Sequence, residues 1–380
     1  MRGAGLEEVL PRVAEIVADV RARGDAAVAE WTERLDGERQ ELRVSTERLA
    51  AARLPEDVLA AVRALAGAVR TFSLPQRPPD TSVEAVPGVR AARRWRPLSS
   101  VGVYVPGGRA AYPSSLVMAA VPAQVAGVPR IAVVTPRPSE ATLATAAALG
   151  LDEVYAVGGA QAVAALAYGT ETIARVDKVV GPGNRYVTAA KLLVSSTCGI
   201  DLPAGPSEVV VVADATATAE RCAADLLAQA EHGPDSEAIL LSLDRELTRR
   251  VGDLVRDAPN VVVRDVGSLD EALAAADDYA PEHLELWVDG AEAAAERVAN
   301  AGTVFVRTAA VVGDYAAGAT HVLPTGGLAR WSGGIGLETF LKPVQYVTAS
   351  DEGLRAARAL ALPLARVEGF PRHAAALEAL

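Results

Sequence analysis

The chain is poor in cysteine, and the little it has argues against a thiolate site. Of its 380 residues only Cys198 and Cys222 are cysteines, and they lack the C-x-x-C spacing of a metal or redox motif. We therefore expect a reduced chain in an intracellular compartment. Aromatic residues make up only 4% of the sequence and hydrophobic residues 50%, so its cores must be built mainly from alanine, valine and leucine.

Lysine is scarce as well. Three of the 37 basic residues are lysines, namely Lys178, Lys191 and Lys342, which leaves few candidates for a Schiff base with a carbonyl substrate. The formal net charge of −11 argues against a nucleic-acid partner, because phosphates require a basic surface.

The sequence also shows no pattern typical of a targeting segment or a membrane-spanning segment. The first thirty residues carry acidic side chains, among them Glu7, Glu8 and Asp19, on a predicted amphipathic helix that resembles neither a signal peptide nor a transit peptide. No apolar run approaches the length needed to cross a membrane. The sequence therefore predicts a soluble, cytoplasmic protein.

The rest of the chain alternates between apolar strands and helices. Helices are predicted over 5–36 and 45–73, and a hairpin over 83–97 turns at Pro87-Gly88. From Val101 onward, short apolar strands are followed by Gly/Pro turns and by helices, a pattern typical of parallel sheets covered on both faces.

There are more predicted strands than one such sheet usually holds, so we predict an α/β protein with two doubly wound, incomplete Rossmann-like modules. Residues 101–135 and 208–243 share one order of strand, alanine-rich helix, glycine and strand, which hints at duplication. Helical extensions are expected at both ends. The predicted division is an N-terminal extension (1–20), a first module (21–100 with 208–345), an inserted second module (101–207) and a C-terminal tail (346–380).

A candidate metal site begins at the end of the helix that precedes Gly233. Gln229 and His232 lie three residues apart, which puts an amide oxygen and an imidazole on one helix face. Such a pair can form half of a zinc site. Alternatively, a histidine in the last turn only complements the helix dipole. The four histidines of the chain each stand near a carboxylate or an amide, which favours a functional role.

Glu282 and His283 form a second candidate, because they lie where a helix ends and a buried strand begins. A carboxylate and an imidazole held there can act as general bases; the alternative is a solvated turn. The loop over 313–327 carries Asp314 and His321 among many glycines, which favours a site over a plain solvent loop. The tail contributes Glu368 and His373 as further candidates. Alternatively, these two residues belong to an ordinary charged helix end.

Three glycine-rich turns lie in the 101–205 region, although the full G-x-G-x-x-G fingerprint is absent. They are Pro106-Gly-Gly108, Gly158-Gly159 and Gly181-Pro-Gly-Asn184. Such turns let backbone N–H groups approach phosphate. One alone could be purely structural, while three in one module favour a nucleotide site.

Several long motifs resemble one family, the histidinol dehydrogenases. They run in order from Val101 to His373: V-Y-V-P-G-G, G-G-A-Q-A-V-A-A-L-A-Y-G-T-E, G-P-G-N, A-G-P-S-E-V, Q-A-E-H-G-P-D-S, A-P-E-H-L-E, G-D-Y-A-A-G-A-T-H-V-L-P-T-G-G and E-G-F-P-R-H. The resemblance implies a zinc enzyme that oxidises L-histidinol through L-histidinal to L-histidine with two NAD⁺, the last step of histidine biosynthesis.

The resemblance also implies roles for individual residues and a homodimer, whose tails reach into the partner's site. The segment around 195–199 looks shorter than in the family, and the final helix stops soon after His373. The implied residues are Gln229, His232, Asp314 and His373 for zinc; Glu282 and His283 for catalysis; Tyr104, Gln161 and Asn184 for NAD⁺; and Ser207, Gln229, His232, His283, Asp314, His321, Glu368 and His373 for the substrate.

Two rival functions use the same residues differently. A zinc hydrolase could use Glu282 with a metal-bound water, and a binding protein could use the glycine turns without chemistry. The nucleotide-type module and the absence of an H-E-x-x-H motif favour the dehydrogenase. Within it, we expect Glu282 chiefly to activate water for aldehyde oxidation and His283 to remove the substrate proton.

Overall fold

The structure, a computed structural model, describes residues 6–37, 40–107 and 112–380. The helices, in chain order, are α1 (Leu6–Arg23), α2 (Asp25–Asp36), α3 (Thr46–Ala51), α4 (Glu56–Ser73), α5 (Pro113–Ala126), α6 (Glu140–Ala148), α7 (Gly159–Tyr168), α8 (Arg185–Val194), α9 (Ala219–Ala230), α10 (Arg245–Leu254), α11 (Leu269–Tyr279), α12 (Ala291–Ala295), α13 (Ala310–Tyr315), α14 (Asp351–Val367) and α15 (Pro371–Glu378).

The strands form three sheets. In chain order they are β1 (Thr81–Val86), β2 (Val89–Pro97), β3 (Val101–Tyr104), β4 (Ile131–Thr135), β5 (Val154–Ala156), β6 (Lys178–Val180), β7 (Gly199–Ile200), β8 (Glu208–Ala213), β9 (Glu237–Ser242), β10 (Val261–Asp265), β11 (His283–Trp287), β12 (Thr303–Val306) and β13 (Leu341–Ala349).

Two of the sheets are parallel and share one strand order. We call β5-β4-β3-β6-β7 the first sheet and β10-β9-β8-β11-β12 the second sheet. Each is covered by helices on both faces, with one apolar cluster on either side. The predicted fold of two doubly wound modules is therefore confirmed, and the identical strand order extends the hint of duplication from the sequence.

The third sheet is small and antiparallel. The predicted hairpin is confirmed as β1 and β2, and β13 pairs along the whole of β2, from Leu341 opposite Pro97 to Ala349 opposite Val89. We did not predict β13 from the sequence, because its partner is about 250 residues distant and its side chains are mostly exposed. The tail helix α14 packs on this sheet and on α15.

The predicted N-terminal helices are each divided in two. Gly24 separates α1 from α2 with φ +58°, and a side chain there would collide with the carboxylate of Glu171. Glu171 Oε2 instead accepts a hydrogen bond from the backbone N–H of Asp25 at 2.8 Å. Leu54 and Pro55 separate α3 from α4, since proline disfavours helical backbone in the residue before it.

The N-terminal helices pack on helices of the first sheet, and the predicted division of the chain into modules stays a prediction. α1 packs on α7 and α8, α2 on α7, α3 on α6, and α4 on α5. The reason is apolar burial: Val13, Val20 and Trp31 share a core cluster with α7 and α8. The 101–207 region is thus covered by the N-terminal helices.

One helical segment of the described chain, Glu56–Gln76, is long and apolar enough by length and composition to cross a membrane. This differs from the expectation that no segment approaches such a length. A helix that packs on a protein core can have the same length and composition, so one such segment does not establish a membrane span. Here Val62, Leu65 and Val69 are buried against α5.

Candidate active site

Most of the predicted site residues gather at the edge of the second sheet where its strands begin. Ser207 and Glu208 lead into β8, and Glu282 and His283 lead into the neighbouring strand β11. Ligands of open parallel sheets usually bind at the carboxyl ends of the strands. This cluster lies at the opposite edge, where β8 and β11 begin. The end of α9, helix α13 and the loop after α13 supply its remaining residues.

Glu282 is buried and held by two donors. Its Oε2 accepts hydrogen bonds from Ser207 Oγ at 2.5 Å and from the backbone N–H of Glu208 at 3.0 Å. Burial raises the pKa of Glu282 to about 7, against the lowering effect of these two hydrogen bonds. A carboxyl group with a pKa near neutrality can both accept and release a proton at physiological pH.

His283 is equally buried, with Nδ1 lying 3.8 Å from Glu282 Oε2. Within the described chain neither ring nitrogen has a hydrogen-bond partner. The ring lies 5.7 Å from that of Phe305. Burial lowers the pKa of His283 to about 4, so the imidazole is neutral and able to accept a proton. Buried nitrogens without partners are costly unless a ligand completes them.

Gln229 and His232 come from the end of α9. Gln229 is buried; its Oε1 lies 3.5 Å from Ser207 Oγ, and its Nε2 has no partner among the described residues. His232 is exposed, with Nδ1 3.2 Å from the backbone oxygen of Gln229. Ser207 therefore lies between the amide of Gln229 and the carboxylate of Glu282, and it donates its proton to the carboxylate.

Asp314 and His321 complete the cluster from α13 and the loop after it. His321 Nδ1 lies 3.3 Å from the backbone oxygen of Asp314 and 3.7 Å from its Oδ1. Burial lowers the pKa of His321, so the ring is neutral. Its Nε2 lies 3.2 Å from Ser115 Oγ. Ser115 belongs to α5, which follows β3, so this contact joins the two sheets at the site.

The tail residues lie apart from this cluster. Glu368 follows α14, His373 is in α15, and both are exposed. The ring of His373 packs on Phe370 at 5.1 Å between centroids. Across residues 6–37, 40–107 and 112–380 no three His, Cys, Asp or Glu side chains are close enough together to hold a metal ion. Gln229, His232 and Asp314 come from the end of α9 and from α13, whereas His373 lies on the tail helix α15.

The residues implied for a nucleotide lie at the carboxyl edge of the first sheet. The backbone N–H of Gly159 donates to the Tyr104 hydroxyl at 3.1 Å, and burial raises the pKa of Tyr104 to about 12. Gln161 is buried and its Oε1 has no partner in the described part of the chain. Asn184 Oδ1 caps α8 by accepting from the backbone N–H groups of Tyr186 at 3.0 Å and Val187 at 3.2 Å.

The turn that precedes Asn184 packs closely on the backbone of Tyr104. Gly181 has φ +112°, and a side chain there would come within 2.1 Å of the backbone oxygen of Tyr104. Lys191 Nζ donates to Gly181 O at 2.5 Å and to Asp201 Oδ1 at 2.6 Å, while Asp201 Oδ2 accepts from Gly181 N at 2.7 Å. Lys191 is thus held in a buried ion pair. Of the predicted turn 106–108, Gly108 lies outside the described residues.

Several residues that shape the site were not predicted. Asn260 Nδ2 donates to the backbone oxygens of Gly233 at 3.2 Å and Ser236 at 3.1 Å, and Ser236 Oγ donates to that of Gln229 at 3.1 Å. These bonds fix the turn after α9. Ser236 stood in the motif around His232, but Asn260 and Ser115 gave no local signal, because only the fold brings them near.

Comparisons of sequence and structure match the chain to known proteins over nearly its full length. A family model described as histidinol dehydrogenase matches residues 2–379. The histidinol dehydrogenase of Ruegeria pomeroyi is 44% identical over 97% of this chain and 91% of its own, and that of Gluconobacter oxydans is 42% identical over 99% and 94%. A crystal structure of the histidinol dehydrogenase from Elizabethkingia anophelis is 34% identical, with a TM-score of 0.90 over 98% of this chain and 92% of that one.

The family expected from the motifs is therefore confirmed along nearly the full length of the sequence. The fold agrees with that of the solved relative, and the buried acid and base at the edge of the second sheet suit proton transfer during an oxidation. The chain belongs to the histidinol dehydrogenase family, and it is an oxidoreductase.

Proposed function

We propose that the protein oxidises L-histidinol through L-histidinal to L-histidine with two NAD⁺ and Zn²⁺, as the last step of histidine biosynthesis. The observation that carries the proposal is the buried pair of Glu282 and His283, whose pKa values are shifted in opposite directions. Two proton-transfer groups of different affinity suit a site that must carry out an alcohol oxidation and then an aldehyde oxidation.

His283 is proposed to take the hydroxyl proton as hydride leaves the alcohol. Its neutral ring and free nitrogens support this role. Glu282 is proposed chiefly to hold and deprotonate the water that adds to the aldehyde, since Ser207 and the Glu208 backbone fix one of its oxygens. The hydrate then gives up the second hydride.

The donor set suits zinc. Gln229, His232 and Asp314 offer an amide oxygen, an imidazole and a carboxylate without any thiolate, a combination used by catalytic sites with open positions. Gln229 Nε2 and both ring nitrogens of His283 are buried without a partner among the described residues, which supports a ligand beside them. His373 from a second copy would be the fourth ligand. When bound, the metal supplies Lewis-acid polarisation and orients the substrate.

The proposed substrate contacts come from the same cluster and from the tail. Ser207, His321 and Glu368 would bind the substrate together with the proposed metal ligands and His283. Tyr104, Gln161 and Asn184 are the proposed NAD⁺ residues at the first sheet. Gln161 keeps a buried acceptor without a partner there, which supports a ligand beside it.

A homodimer with shared sites is the proposed assembly. His373 and Glu368 are exposed on the tail and do not meet the rest of the site within one chain. The outer face of α14 carries Leu360, Leu364 and Val367 at helical spacing, and Val367 is 85% exposed. An apolar face of this kind supports burial against a partner. Cys198 and Cys222 are free, which supports a reducing, cytoplasmic location.

The test mixes zinc-loaded protein with NAD⁺ and L-histidinol and follows NADH absorbance. We expect two NADH per L-histidine formed, and loss of both after chelation of the metal. A His283→Asn variant that remains folded serves as the control for background reduction. Zinc-replete protein that forms no NADH under alkaline conditions would exclude this function and leave the hydrolase and the non-catalytic binding protein as alternatives.

A further inference from the structure

The chain passes from the first sheet to the second through one short segment. We call residues 201–207 the crossing segment; it begins after β7 and ends where β8 begins. Pro203 and Pro206 lie within it, and their rings fix φ and remove two backbone N–H groups. A segment with so few free backbone torsions can be held in place by bonds at a few points.

The first residue of the crossing segment is bound to the glycine turn over 181–184, which we call the cofactor turn. Asp201 Oδ2 accepts a hydrogen bond from the backbone N–H of Gly181 at 2.7 Å, and Asp201 Oδ1 accepts one from Lys191 Nζ at 2.6 Å. The backbone N–H of Asp201 donates to the backbone oxygen of Val179 at 3.2 Å. This end of the segment is therefore fixed to the first sheet.

The middle of the crossing segment is held by two buried threonine hydroxyls. Thr188 Oγ1 donates to the backbone oxygen of Ala204 at 2.7 Å, and the backbone N–H of Gly205 donates to Thr325 Oγ1 at 2.5 Å. Each threonine is 3% exposed. This oxygen and this N–H belong to one trans peptide group, in which they point in opposite directions. The two hydroxyls therefore hold a single peptide plane from its two sides.

The two threonines come from the two regions that supply the candidate residues. Thr188 follows Asn184 by four residues, so the two share one face of α8. Thr325 lies in the loop that follows α13 and carries His321. The peptide plane is thus held between the helix that begins at the cofactor turn and the loop that contributes to the second-sheet cluster.

The far end of the crossing segment meets the buried acid. Only Pro206 separates Gly205 from Ser207. Ser207 Oγ donates to Glu282 Oε2 at 2.5 Å, and the next backbone N–H, that of Glu208, donates to the same oxygen at 3.0 Å. A rotation of the held peptide plane would therefore displace both donors of Glu282.

We propose that Thr188 and Thr325 are positioning residues: together they hold the peptide between Ala204 and Gly205, and thereby place Ser207 against Glu282 at a fixed distance from the cofactor turn. The inference rests on the proposed function for the roles of Glu282 and of the cofactor turn. Neither hydroxyl contacts substrate or NAD⁺ in this proposal. Their loss acts on the rate of the reaction and not on the binding of NAD⁺, because Asp201 still holds the cofactor turn.

Substitutions in the full-length, zinc-loaded enzyme test the two hydroxyls. Valine has nearly the shape of threonine but no hydroxyl, whereas serine keeps the hydroxyl. We expect Thr188→Val and Thr325→Val each to lower kcat about tenfold with the KM for NAD⁺ unchanged, because a small displacement of catalytic groups is costly. Serine at either position should restore most of the loss. Thr71→Val is the matched control, since Thr71 Oγ1 donates to the backbone oxygen of Gly67 at 2.9 Å on the exposed side of α4.

Asp201→Asn tests the other end of the crossing segment. An amide cannot accept from both the N–H of Gly181 and Lys191 Nζ, so the cofactor turn should loosen and the KM for NAD⁺ should rise about fivefold. A purely structural role would not separate the two constants in this way, because general loosening would change kcat and KM together in every variant. That uniform change would overturn the proposal, as would wild-type kcat in both valine variants or serine variants as slow as the valine variants.

Hydrogen exchange followed by mass spectrometry needs no substrate. Peptides that cover 201–208 should exchange faster in both valine variants than in the wild type, and at the wild-type rate in the serine variants. If one valine variant does not fold, the other decides, since each hydroxyl holds the same peptide plane. Equal exchange in the wild type and the folded valine variants would overturn the proposal. A wild-type enzyme that makes no NADH would count against the proposed function, while the exchange rates would still support or overturn the hold on the crossing segment.

Discussion

The first and second sheets have the same strand order but use opposite edges. The first sheet presents Tyr104, Gln161 and Asn184 where its strands end, at the edge expected for nucleotides in a doubly wound fold. The second sheet presents Glu282 and His283 where its strands begin. The Ser115–His321 contact joins the two regions. One repeated topology thus supplies both groups of candidate residues.

The sheets also differ in the buried charges under these edges. In the first sheet Lys191 and Asp201 form an ion pair that binds both backbone polar groups of Gly181. In the second sheet Glu285 is fully buried, and burial together with the nearby charge of Asp225 raises its pKa to about 8. The first arrangement locks a turn by opposite charge, whereas the second keeps a proton that the unfolded chain would release. The predictions below test this contrast.

The largest effect is expected at the second sheet, from His283→Asn. Removing a general base typically costs 10²–10⁴-fold in rate, so the loss in kcat should reach about 10⁴-fold, roughly 5.5 kcal/mol. Steady-state NADH formation measures it, and circular dichroism checks the fold. Loss of less than about tenfold would remove His283 from the chemistry.

Mixing this variant with His373→Asn tests whether the site at the second sheet needs a residue from a partner chain. The residues at the first sheet are not expected to need one. After subunit exchange at equal amounts, half of the dimers are hybrids and each contains one intact site. Activity should then recover to about a quarter of the wild-type value. Exchange demonstrated by mass spectrometry without any recovery would contradict sites shared between chains.

At the first sheet, Lys191→Met should be the most destabilising of these changes. It leaves the Asp201 carboxylate buried without its partner, which typically costs about 3–5 kcal/mol. Urea unfolding measures the loss, and Lys342→Met on exposed β13 is the matched control. The double variant with Asp201→Leu should recover part of the stability. A loss below about 1 kcal/mol would show that the ion pair does not lock the turn.

The buried Glu285 should instead make stability depend on pH. The pKa of Glu285 rises from 4.5 to about 8, so the native state keeps a proton that the unfolded chain releases above pH 4.5. The stability that this proton contributes is complete below that pH and is lost as pH rises through about 8. One proton corresponds to about 1.4 kcal/mol per pH unit, hence about 2–3 kcal/mol over two units.

Glu285→Gln should remove this slope, because the amide has no proton to titrate. Urea unfolding at several pH values between 5 and 8 compares it with the wild type, and Glu246→Gln, exposed on α10, controls for the loss of one carboxyl group. Parallel pH profiles of the wild type and Glu285→Gln would mean that Glu285 keeps no extra proton in the native state.

The sequence predicted the alternation of strands and helices well, because Val-rich strands and Gly/Pro turns can be recognised from a few neighbouring residues. The sequence did not predict the contacts between elements that are far apart in the chain. The pairing of β13 with β2 and the packing of α1 on α8 depend on surfaces far apart in the chain. The edge occupied by Glu282 likewise follows from strand direction, which no local pattern specifies.

The candidate site was predicted mostly through long motifs rather than through spacing. Gln229 and His232 were a plausible pair on their helix, but their relation to Asp314 required the fold. The burial of the Glu285 side chain was not predicted either. Its motif contains the residue, yet an acidic side chain in a strand is normally expected to face solvent, and only the structure puts Asp225 beside it.

The smallest effect is expected from Asn184→Asp, which separates two roles of one side chain at the first sheet. Asn184 caps α8 through Oδ1, and a cap typically contributes about 1 kcal/mol. Aspartate caps equally well and suits the helix dipole, so stability should stay within about 0.5 kcal/mol. The added charge would repel a cofactor phosphate, so the KM for NAD⁺ should rise about fivefold, which is close to 1 kcal/mol. Asn184→Ala should instead lose the cap. If Asn184→Asp left the KM unchanged, Asn184 would be a helix cap alone, and the first sheet would bind its cofactor through Tyr104 and Gln161.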